Sequence, residues 1–272
     1  MTVDLDAPIF LLGMPRSGTT WLSQVFESSP DVVVRLSPPY SYDFRGSLAA
    51  GSDAAGWREV LGGSVASDDR FLTQNWRRDS GELPEFADDK ADASRLAIKD
   101  TRFHDLYESG MAALPAARMI YIVRHPGASL WSWRMCKEFP ADADFGEQWR
   151  SGQCRKQDGP GEYWGFDDWL ALTQAYYERA AADPQRYLVV RYEQMVRDAL
   201  GTAERMLAFS GLRLHPATAE FVLASQASFD PRPYSVFKGN ELRQDWRTQM
   251  PAEILDEVER ETAAAGLGEL LS

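Results

Sequence analysis

Two short segments of the chain combine glycine, hydroxyl side chains and an arginine at spacings typical of phosphate binding. The first runs from Gly13 to Thr20 and reads Gly-Met-Pro-Arg-Ser-Gly-Thr-Thr. It has the glycine spacing of the nucleotide-triphosphate loop G-x-x-x-x-G-K-[ST]. Thr19, however, stands where that loop has its lysine, and the cation lies three positions earlier, at Arg16. The segment therefore predicts a phosphate cradle without the lysine that reaches the β- and γ-phosphates, which fits a donor with a short anionic tail better than ATP.

The residues on either side of this segment predict a strand before it and a helix after it. The apolar run Pro8–Leu12 precedes the segment, and apolar residues at helical spacing follow between Trp21 and Phe26. A strand, a glycine turn and a helix in this order direct several backbone N–H groups at one spot, where the positive end of the helix dipole also lies. A plain glycine turn, capped by Ser17 or Thr19, is the alternative; the strand, the helix and the embedded arginine favour the anion site.

A second anion-binding pattern follows another apolar run, Arg118–Val123. Arg124 comes directly after that run, and Ser132 lies eight residues later, two turns into a helix that begins well with Pro126. Ligands bind at the carboxyl ends of strands in open α/β sheets, so Arg124 and Ser132 are placed to hold one phosphate together. The alternative is an arginine that caps a helix end and a serine on the helix surface.

The elements that position these segments alternate along the chain. Strands are predicted over Pro8–Leu12, Val32–Leu36, Arg95–Lys99, Arg118–Val123 and Tyr187–Arg191. Helices are predicted from Trp21 and over Pro126–Cys136, Glu193–Phe209 and Pro251–Ala265. Strands separated by helices predict the α/β class, with three αβα layers around a mostly parallel sheet.

Two long stretches, 37–94 and 137–170, do not follow that alternation. Long irregular segments in a compact domain are usually lids or binding loops, so we expect both to lie on the acceptor side of a single domain that spans residues 1–272. Their aromatic side chains suit sugars, phenols or lipid-like molecules, and they serve equally well to fix long loops to the core.

The composition of the 272-residue chain narrows the classes of function. Its net charge is −12, which gives no global attraction to nucleic acid or to an anionic membrane surface. Cys136 and Cys154 do not make a disulfide framework, and no Cys/His cluster has zinc spacing, so no metal is expected. Without a basic apolar leader or a run of about 18 apolar residues, the chain is expected to be cytoplasmic with reduced thiols.

Together, the two anion-binding segments resemble those of the sulfotransferase family, whose donor is 3'-phosphoadenosine-5'-phosphosulfate (PAPS). The first, extended to Trp21, is similar to that family's 5'-phosphosulfate loop, and the second to its 3'-phosphate motif. The resemblance implies a P-loop-like fold of the soluble, bacterial type, with two separate sites for the two anionic ends of PAPS and no metal. The residues that it assigns to the donor here are Arg16, Ser17, Gly18, Thr19, Thr20, Trp21, Arg124 and Ser132.

Later segments extend the resemblance to about residue 250. It implies that Tyr192 lies near the adenine and that Lys238 and Gly239, with Asp245–Arg247, belong to a lid over the nucleotide. The lid segment departs from the family pattern, because Phe237 replaces an arginine and two extra residues separate its halves.

Sulfuryl transfer in line between two oxygens puts negative charge on the departing phosphate, so fixed cations are needed there. Arg16 supplies one cation, and the resemblance places Lys99 as a second. The acceptor hydroxyl also needs a general base, for which His104, Asp100 and Asp43 are candidates. His104 has a suitable intrinsic pKa, although a lone histidine is more often structural, and Asp100 is equally suited to pairing with Lys99. We expect His104→Ala to abolish transfer and to spare PAPS binding.

Two other functions stay open at this point. A P-loop kinase is favoured by the loop spacing and by Asp100 as a magnesium ligand, while the missing lysine and the Arg124–Ser132 pair count against it. A non-catalytic nucleotide-binding protein of the same fold is favoured only by the lack of a recognisable base. For a transferase the expected partner is a hydroxyl of a small molecule, a carbohydrate or a lipid-like acceptor, with no nucleic acid and no membrane, and the protein is a monomer or homodimer.

Overall fold

The computed structural model describes residues 2–86, 90–156, 161–230, 232, 235–237, 239 and 245–272. Within them, five parallel strands form one sheet in the order β2-β3-β1-β4-β5. The strands are β1 Asp4–Leu12, β2 Val32–Leu36, β3 Arg95–Asp100, β4 Arg118–Val123 and β5 Tyr187–Arg191. All five predicted strands are confirmed, with β1 starting at Asp4 rather than Pro8.

Helices connect the strands and follow the last of them. Those within the described residues are α1 Thr19–Glu27, α2 Ala54–Ala66, α3 Arg70–Thr73, α4 Asn75–Asp79, α5 His104–Ala113, α6 Pro126–Arg134, α7 Phe145–Gln148, α8 Gln153–Lys156, α9 Gly165–Ala182, α10 Tyr192–Arg197, α11 Ala199–Phe209, α12 Pro216–Ala227, α13 Trp246–Gln249 and α14 Ala252–Ala264.

The centre of the sheet is apolar on both faces. Ile9, Phe10, Leu11 and Leu12 of β1 have no exposed surface. Phe10 and Leu12 pack into one core with side chains of α2, α5 and α9, whereas Ile9 and Leu11 pack into another with side chains of α1, α11 and α12. Because successive side chains of a strand point to opposite faces, helices cover both faces, and the predicted three-layer αβα arrangement is confirmed.

The predicted helix over Glu193–Phe209 is wrong, because the chain forms two helices there, α10 and α11. They meet at Asp198, whose backbone is extended, with φ −141° and ψ 75°. Its side chain accepts a hydrogen bond from the Gly201 N–H at 3.0 Å and thereby caps the start of α11. The apolar spacing continues across both helices, so it did not reveal the break. The break is caused by Asp198, which caps the second helix.

The two stretches expected to be irregular contain helices. The first holds α2, α3 and α4, and the second holds α7, α8 and the start of α9. Aspartates start three of them: the side chains of Asp53, Asp69 and Asp144 accept hydrogen bonds from backbone N–H groups of α2, α3 and α7. The sequence analysis also missed α5, α9 and α12. These helices do not have a glycine or proline at both ends to mark where they begin and stop.

The parallel sheet brings the candidate segments to one edge. Each of the loops that follow β1, β3, β4 and β5 leaves the sheet at the carboxyl ends of the strands. The Gly13–Thr20 loop, Lys99, Arg124 and Tyr192 therefore lie side by side there. Within the part of the chain that the structure describes, no helix is both long and apolar enough to span a membrane.

Candidate functional site

A cavity of about 630 Å³ opens at the carboxyl edge of the sheet. It extends from Leu36 and Lys99, at the ends of β2 and β3, to Arg124 and Tyr192, which follow β4 and β5. The residues predicted to bind the donor that line its wall are Arg16, Gly18, Thr19, Thr20, Trp21, Arg124, Ser132, Tyr192 and Gly239. Lys238 lies outside the described residues.

The loop between β1 and α1 has the conformation of an anion cradle. Gly18, directly before α1, has φ 99°, and Arg16 adopts the left-handed region with φ 73°, which is uncommon for a residue with a side chain. A Cβ atom at Gly18 would lie 2.8 Å from Cδ2 of Tyr192, so the ring of Tyr192 closes over the loop only because residue 18 is glycine. Ser17 is fully buried, and its hydroxyl makes no hydrogen bond to any described residue. Such strain and an unpaired buried hydroxyl are typical of a ligand-binding loop.

The two anion-binding segments, predicted as separate sites, touch each other. Nε of Arg16 donates a hydrogen bond to Oγ of Ser132 at 3.1 Å, and Nη1 of Arg124 donates to the carbonyl oxygen of Arg16 at 3.2 Å. The Arg124 guanidinium also lies 4.6 Å from the centre of the Tyr192 ring. Both segments therefore contribute to one continuous wall of the cavity.

Lys99, the penultimate residue of β3, lines the same cavity. Its side chain is almost buried, and the described residues give its ammonium no hydrogen bond or ion pair. Burial, followed by the positive charges of Arg77, Arg102 and Arg16, lowers the pKa of Lys99 to about 8, against the opposing effect of Asp100. A buried ammonium surrounded by other cations is costly by itself and is stabilised when an anion enters.

Asp100 stabilises the turn that follows β3 and does not line the cavity. Its carboxylate accepts hydrogen bonds from the Ser37 hydroxyl at 2.6 Å and the Tyr107 hydroxyl at 2.9 Å. The backbone N–H groups of Thr101 and Arg102 donate to it as well, at 2.7 and 2.9 Å. Burial raises its pKa, which these hydrogen bonds oppose. With four donors on two oxygens, Asp100 is engaged structurally rather than available as a base.

The other two predicted bases also lie away from the wall of the main cavity. His104 begins α5 and lines a second cavity of about 230 Å³, where its ring centre lies 4.7 Å from that of Tyr163. Burial lowers the pKa of His104 to about 4. Asp43 is exposed and lines neither cavity. The structure therefore brings Arg16 and Lys99 together but not His104, Asp100 or Asp43.

The end of the cavity near β2 and β3 is formed by residues that the sequence analysis did not single out. Trp76 and Arg77 come from α4, Glu82 from the turn after it, Arg102 from the loop after β3, and Trp164 from just before α9. Nε of Arg77 lies 3.2 Å from Oε2 of Glu82. No motif marks these positions. The aromatic side chains of the two long stretches were the available signal: they predicted that the stretches line a binding pocket, but not which residues do so.

The two cysteines differ in position. Cys136 is buried in the wall of the main cavity, where its thiol donates to the carbonyl oxygen of Trp133 at 3.0 Å and burial raises its pKa. Cys136 and Cys154 are both among the described residues and are not bonded to each other.

Comparison with known proteins identifies the family. The profile described as the sulfotransferase family matches residues 8–216. The chain belongs to the sulfotransferase family. The match contains both anion-binding segments, Lys99 and Tyr192, and it makes sulfuryl transfer, in general terms, the activity of the chain.

Solved sulfotransferase structures share the fold. Mouse sulfotransferase SULT7A1 complexed with PAP is 18% identical with a TM-score of 0.57, and the alignment covers 99% of this chain and 89% of that one. The sulfotransferase domain from the curacin biosynthetic pathway is 15% identical with a TM-score of 0.54, covering 96% and 97%. Comparison with curated protein sequences finds no significant match. At these identities the structural likeness confirms the α/β fold alone.

Proposed function

We propose that this sulfotransferase transfers the sulfuryl group of PAPS to a hydroxyl of a small-molecule, carbohydrate or lipid-like acceptor. The observation that carries the proposal is the contact between the two anion-binding segments, in which Arg16 bonds to Ser132 while Arg124 bonds to the backbone of Arg16. A donor with a 5'-phosphosulfate and a 3'-phosphate presents two anions to such a wall.

The residues present fit such a nucleotide. In a chain of net charge −12, seven lysine and arginine side chains of the described residues line one cavity, and Arg16, Lys99 and Arg124 are among them. The buried Ser17 hydroxyl offers a further donor. The ring of Tyr192 flanks the cavity beside Arg124, where a flat adenine base would pack. The PAP bound to the mouse relative supports the same nucleotide for this chain.

The chain supplies positioning and positive charge to the reaction. PAPS, when bound, supplies the sulfuryl group and a phosphate leaving group. Arg16 and the N–H groups at the start of α1 stabilise the negative charge that develops on that phosphate. With a pKa of about 8, Lys99 is mostly protonated at neutral pH and adds a second cation. Lys99 is held near the end of β3 and Arg16 by its hydrogen bond to Ser132, so both need little reorganisation.

The acceptor side is proposed at the β2 and β3 end of the cavity. Leu36, Trp76 and Trp164 provide apolar surface there, and Arg77 and Glu82 provide polar groups. We assign acceptance of the hydroxyl proton to Glu82, a carboxylate on this wall, in place of His104, which lines the second cavity. Arg77, 3.2 Å from Glu82, holds that carboxylate in place.

No observation favours the kinase hypothesis. Besides the loop spacing, it depended on Asp100 as a magnesium ligand, and both carboxylate oxygens of Asp100 already accept hydrogen bonds from four donors. The loop has Thr19 in place of the lysine that reaches the terminal phosphates of ATP.

Isothermal titration and an acceptor screen test the proposal. We expect PAP to bind without magnesium, and labelled PAPS to sulfate at least one member of a panel of phenols, sugars and hydroxylated lipids. The Arg124→Gln variant, which lacks the cation beside Tyr192, should lose PAP affinity by about tenfold or more. Magnesium-dependent ATP binding with no affinity for PAP would refute the proposal.

A further inference from the structure

The wall of the nucleotide end of the cavity includes α13, a single helical turn near the end of the described chain. Asp245, Trp246 and Gln249 of this segment line the cavity together with Arg124 and Ser132. A helix this short has no stability of its own, so contacts with other elements must hold it in place.

The contact of α13 with the start of α6 is close. The ring of Trp246 lies 4.7 Å from the ring of His125, centre to centre, at an angle of 53°. A Cβ atom at Gly127 would lie 2.6 Å from Cζ3 of Trp246, so only glycine at position 127 admits the indole. Nε1 of Trp131 donates to Oε1 of Gln249 at 3.0 Å. The position of α13 therefore depends on the start of α6.

His125, directly after Arg124, caps the start of α6. Its Nδ1 accepts a hydrogen bond from the Gly127 N–H at 3.1 Å, and its backbone N–H donates to Oε1 of Glu193 at 3.0 Å. With Nδ1 as the acceptor, the neutral ring carries its proton on Nε2. Burial, then Arg247 and Arg124, lowers the pKa of His125 to about 3, so the ring is neutral at physiological pH.

Arg247 and Glu259 meet the outer edge of this ring. Nε2 of His125, which carries the ring proton, lies 3.7 Å from Oε1 of Glu259 and so faces this carboxylate. Nη2 of Arg247 lies 3.1 Å from Nε2, but both are donors, so Arg247 acts on the ring through Glu259 and Trp246. Nη1 of Arg247 donates to the same Glu259 oxygen at 2.7 Å, and Nη2 donates to the Leu271 carbonyl oxygen at 3.2 Å. The guanidinium also lies 4.7 Å from the centre of the Trp246 ring. Arg247 thus joins α13 to α14 and to the 3-10 helix Gly268–Leu271, and it holds Glu259 where that carboxylate faces the cap of α6.

We infer that Arg247 is a positioning residue of the nucleotide site: with Glu259 it fixes His125 and Trp246, and through them Arg124 and the wall that α13 forms. The inference rests on the proposed function, because the ligand whose affinity should depend on this wall is PAP or PAPS. Arg247 itself does not line the cavity among the described residues, so its effect on binding is indirect.

Arg150, which forms ion pairs with α14 from another part of the chain, provides a matched control. Arg150 pairs with Glu257 at 2.6 Å and Glu261 at 2.7 Å on α14, and with Asp167 at 3.0 Å on α9. It makes more ion pairs to α14 than Arg247 does, but it contacts neither His125 nor α13. A general loosening of α14 would therefore affect Arg150→Gln at least as strongly as Arg247→Gln.

The experiment measures PAP binding by isothermal titration to wild type, Arg247→Gln, Arg247→Lys, Glu259→Gln and Arg150→Gln, with thermal unfolding of each. We expect the Kd for PAP to rise about fivefold in Arg247→Gln and Glu259→Gln, the loss that a partly exposed charge pair sustains. Arg247→Lys should fall between these and wild type, since an ammonium cannot replace the forked contacts. Arg150→Gln should bind as wild type does.

Turnover separates positioning from chemistry. The KM for PAPS should rise with the Kd in Arg247→Gln, while kcat at saturating donor stays within about twofold of wild type. The inference is overturned if wild type binds PAP and Arg247→Gln binds it equally well, or if Arg150→Gln loses as much affinity. A wild-type protein that binds no PAP overturns the proposed function itself, which distinguishes the two failures.

Discussion

Replacing Lys99 with methionine should make the protein more stable and inactive. The Lys99 side chain is 9% exposed at the cavity wall and makes no hydrogen bond or ion pair to the described residues, and its pKa falls from 10.5 to about 8. One pKa unit corresponds to about 1.4 kcal/mol, so keeping the charged form in the folded state costs about 3 kcal/mol at pH 7. Methionine has a similar length and no charge, so Lys99→Met should gain about 1–3 kcal/mol, or roughly 2 °C or more in Tm per kcal/mol.

The dependence on pH gives the same argument a second test. Below pH 8, Lys99 is charged in both the folded and the unfolded chain, and the advantage of methionine is largest. As pH rises from about 8 to 10.5, the folded chain binds fewer protons than the unfolded chain, so wild type gains stability relative to the variant; above that range the advantage vanishes.

Urea unfolding of wild type and Lys99→Met at several pH values measures this difference. Arg213→Met is the control, because Arg213 is exposed and its replacement removes a charge from the surface, which should change stability by about 0.5 kcal/mol or less. A Lys99→Met protein that is less stable than wild type at pH 7, or a difference that does not change with pH, would refute the reasoning.

Four further substitutions test the cavity and the assignment of the base. Gly18→Ala should weaken PAP binding tenfold or more and lower stability by about 1–3 kcal/mol, because residue 18 has φ 99° and its Cβ would meet Tyr192 at 2.8 Å; titration and urea unfolding measure both. Ser132→Ala should raise the Kd for PAP severalfold and leave the KM for the acceptor unchanged in steady-state assays. Glu82→Gln should lower kcat by about 10²-fold or more with normal PAP affinity, whereas His104→Ala should keep near-wild-type kcat; the reverse result would restore His104 as the base.

The fold, and the half of the cavity to which the two glycine- and arginine-containing segments contribute, follow from local sequence patterns. The five strands are short apolar runs, and the anion-binding segments lie at the ends of two of them, so the parallel sheet had to bring the segments to one edge. Their direct contact, from Arg16 to Ser132, depends on side-chain directions that sequence spacing does not specify.

The acceptor-facing half did not follow from the sequence. Trp76, Arg77 and Glu82 lie in short helices and turns whose approach to Lys99 is set by tertiary packing, and no fixed spacing relates them to β3. His104 follows Lys99 closely in the chain, yet it begins a helix whose first side chain packs against Tyr163 in another cavity. Because His104 is close to Lys99 in the sequence, the two were predicted to share a site, but the direction of α5 places His104 in the other cavity.

The most direct test of the account compares three nucleotides by isothermal titration in magnesium-free buffer: PAP, adenosine 5'-phosphate and adenosine 3'-phosphate. Since we propose that the wall formed by Arg16, Ser132 and Arg124 holds two anions, we predict that PAP binds at least tenfold more tightly than either monophosphate. Equal affinity for PAP and for a monophosphate would contradict the account, because one of the two segments would then hold no phosphate.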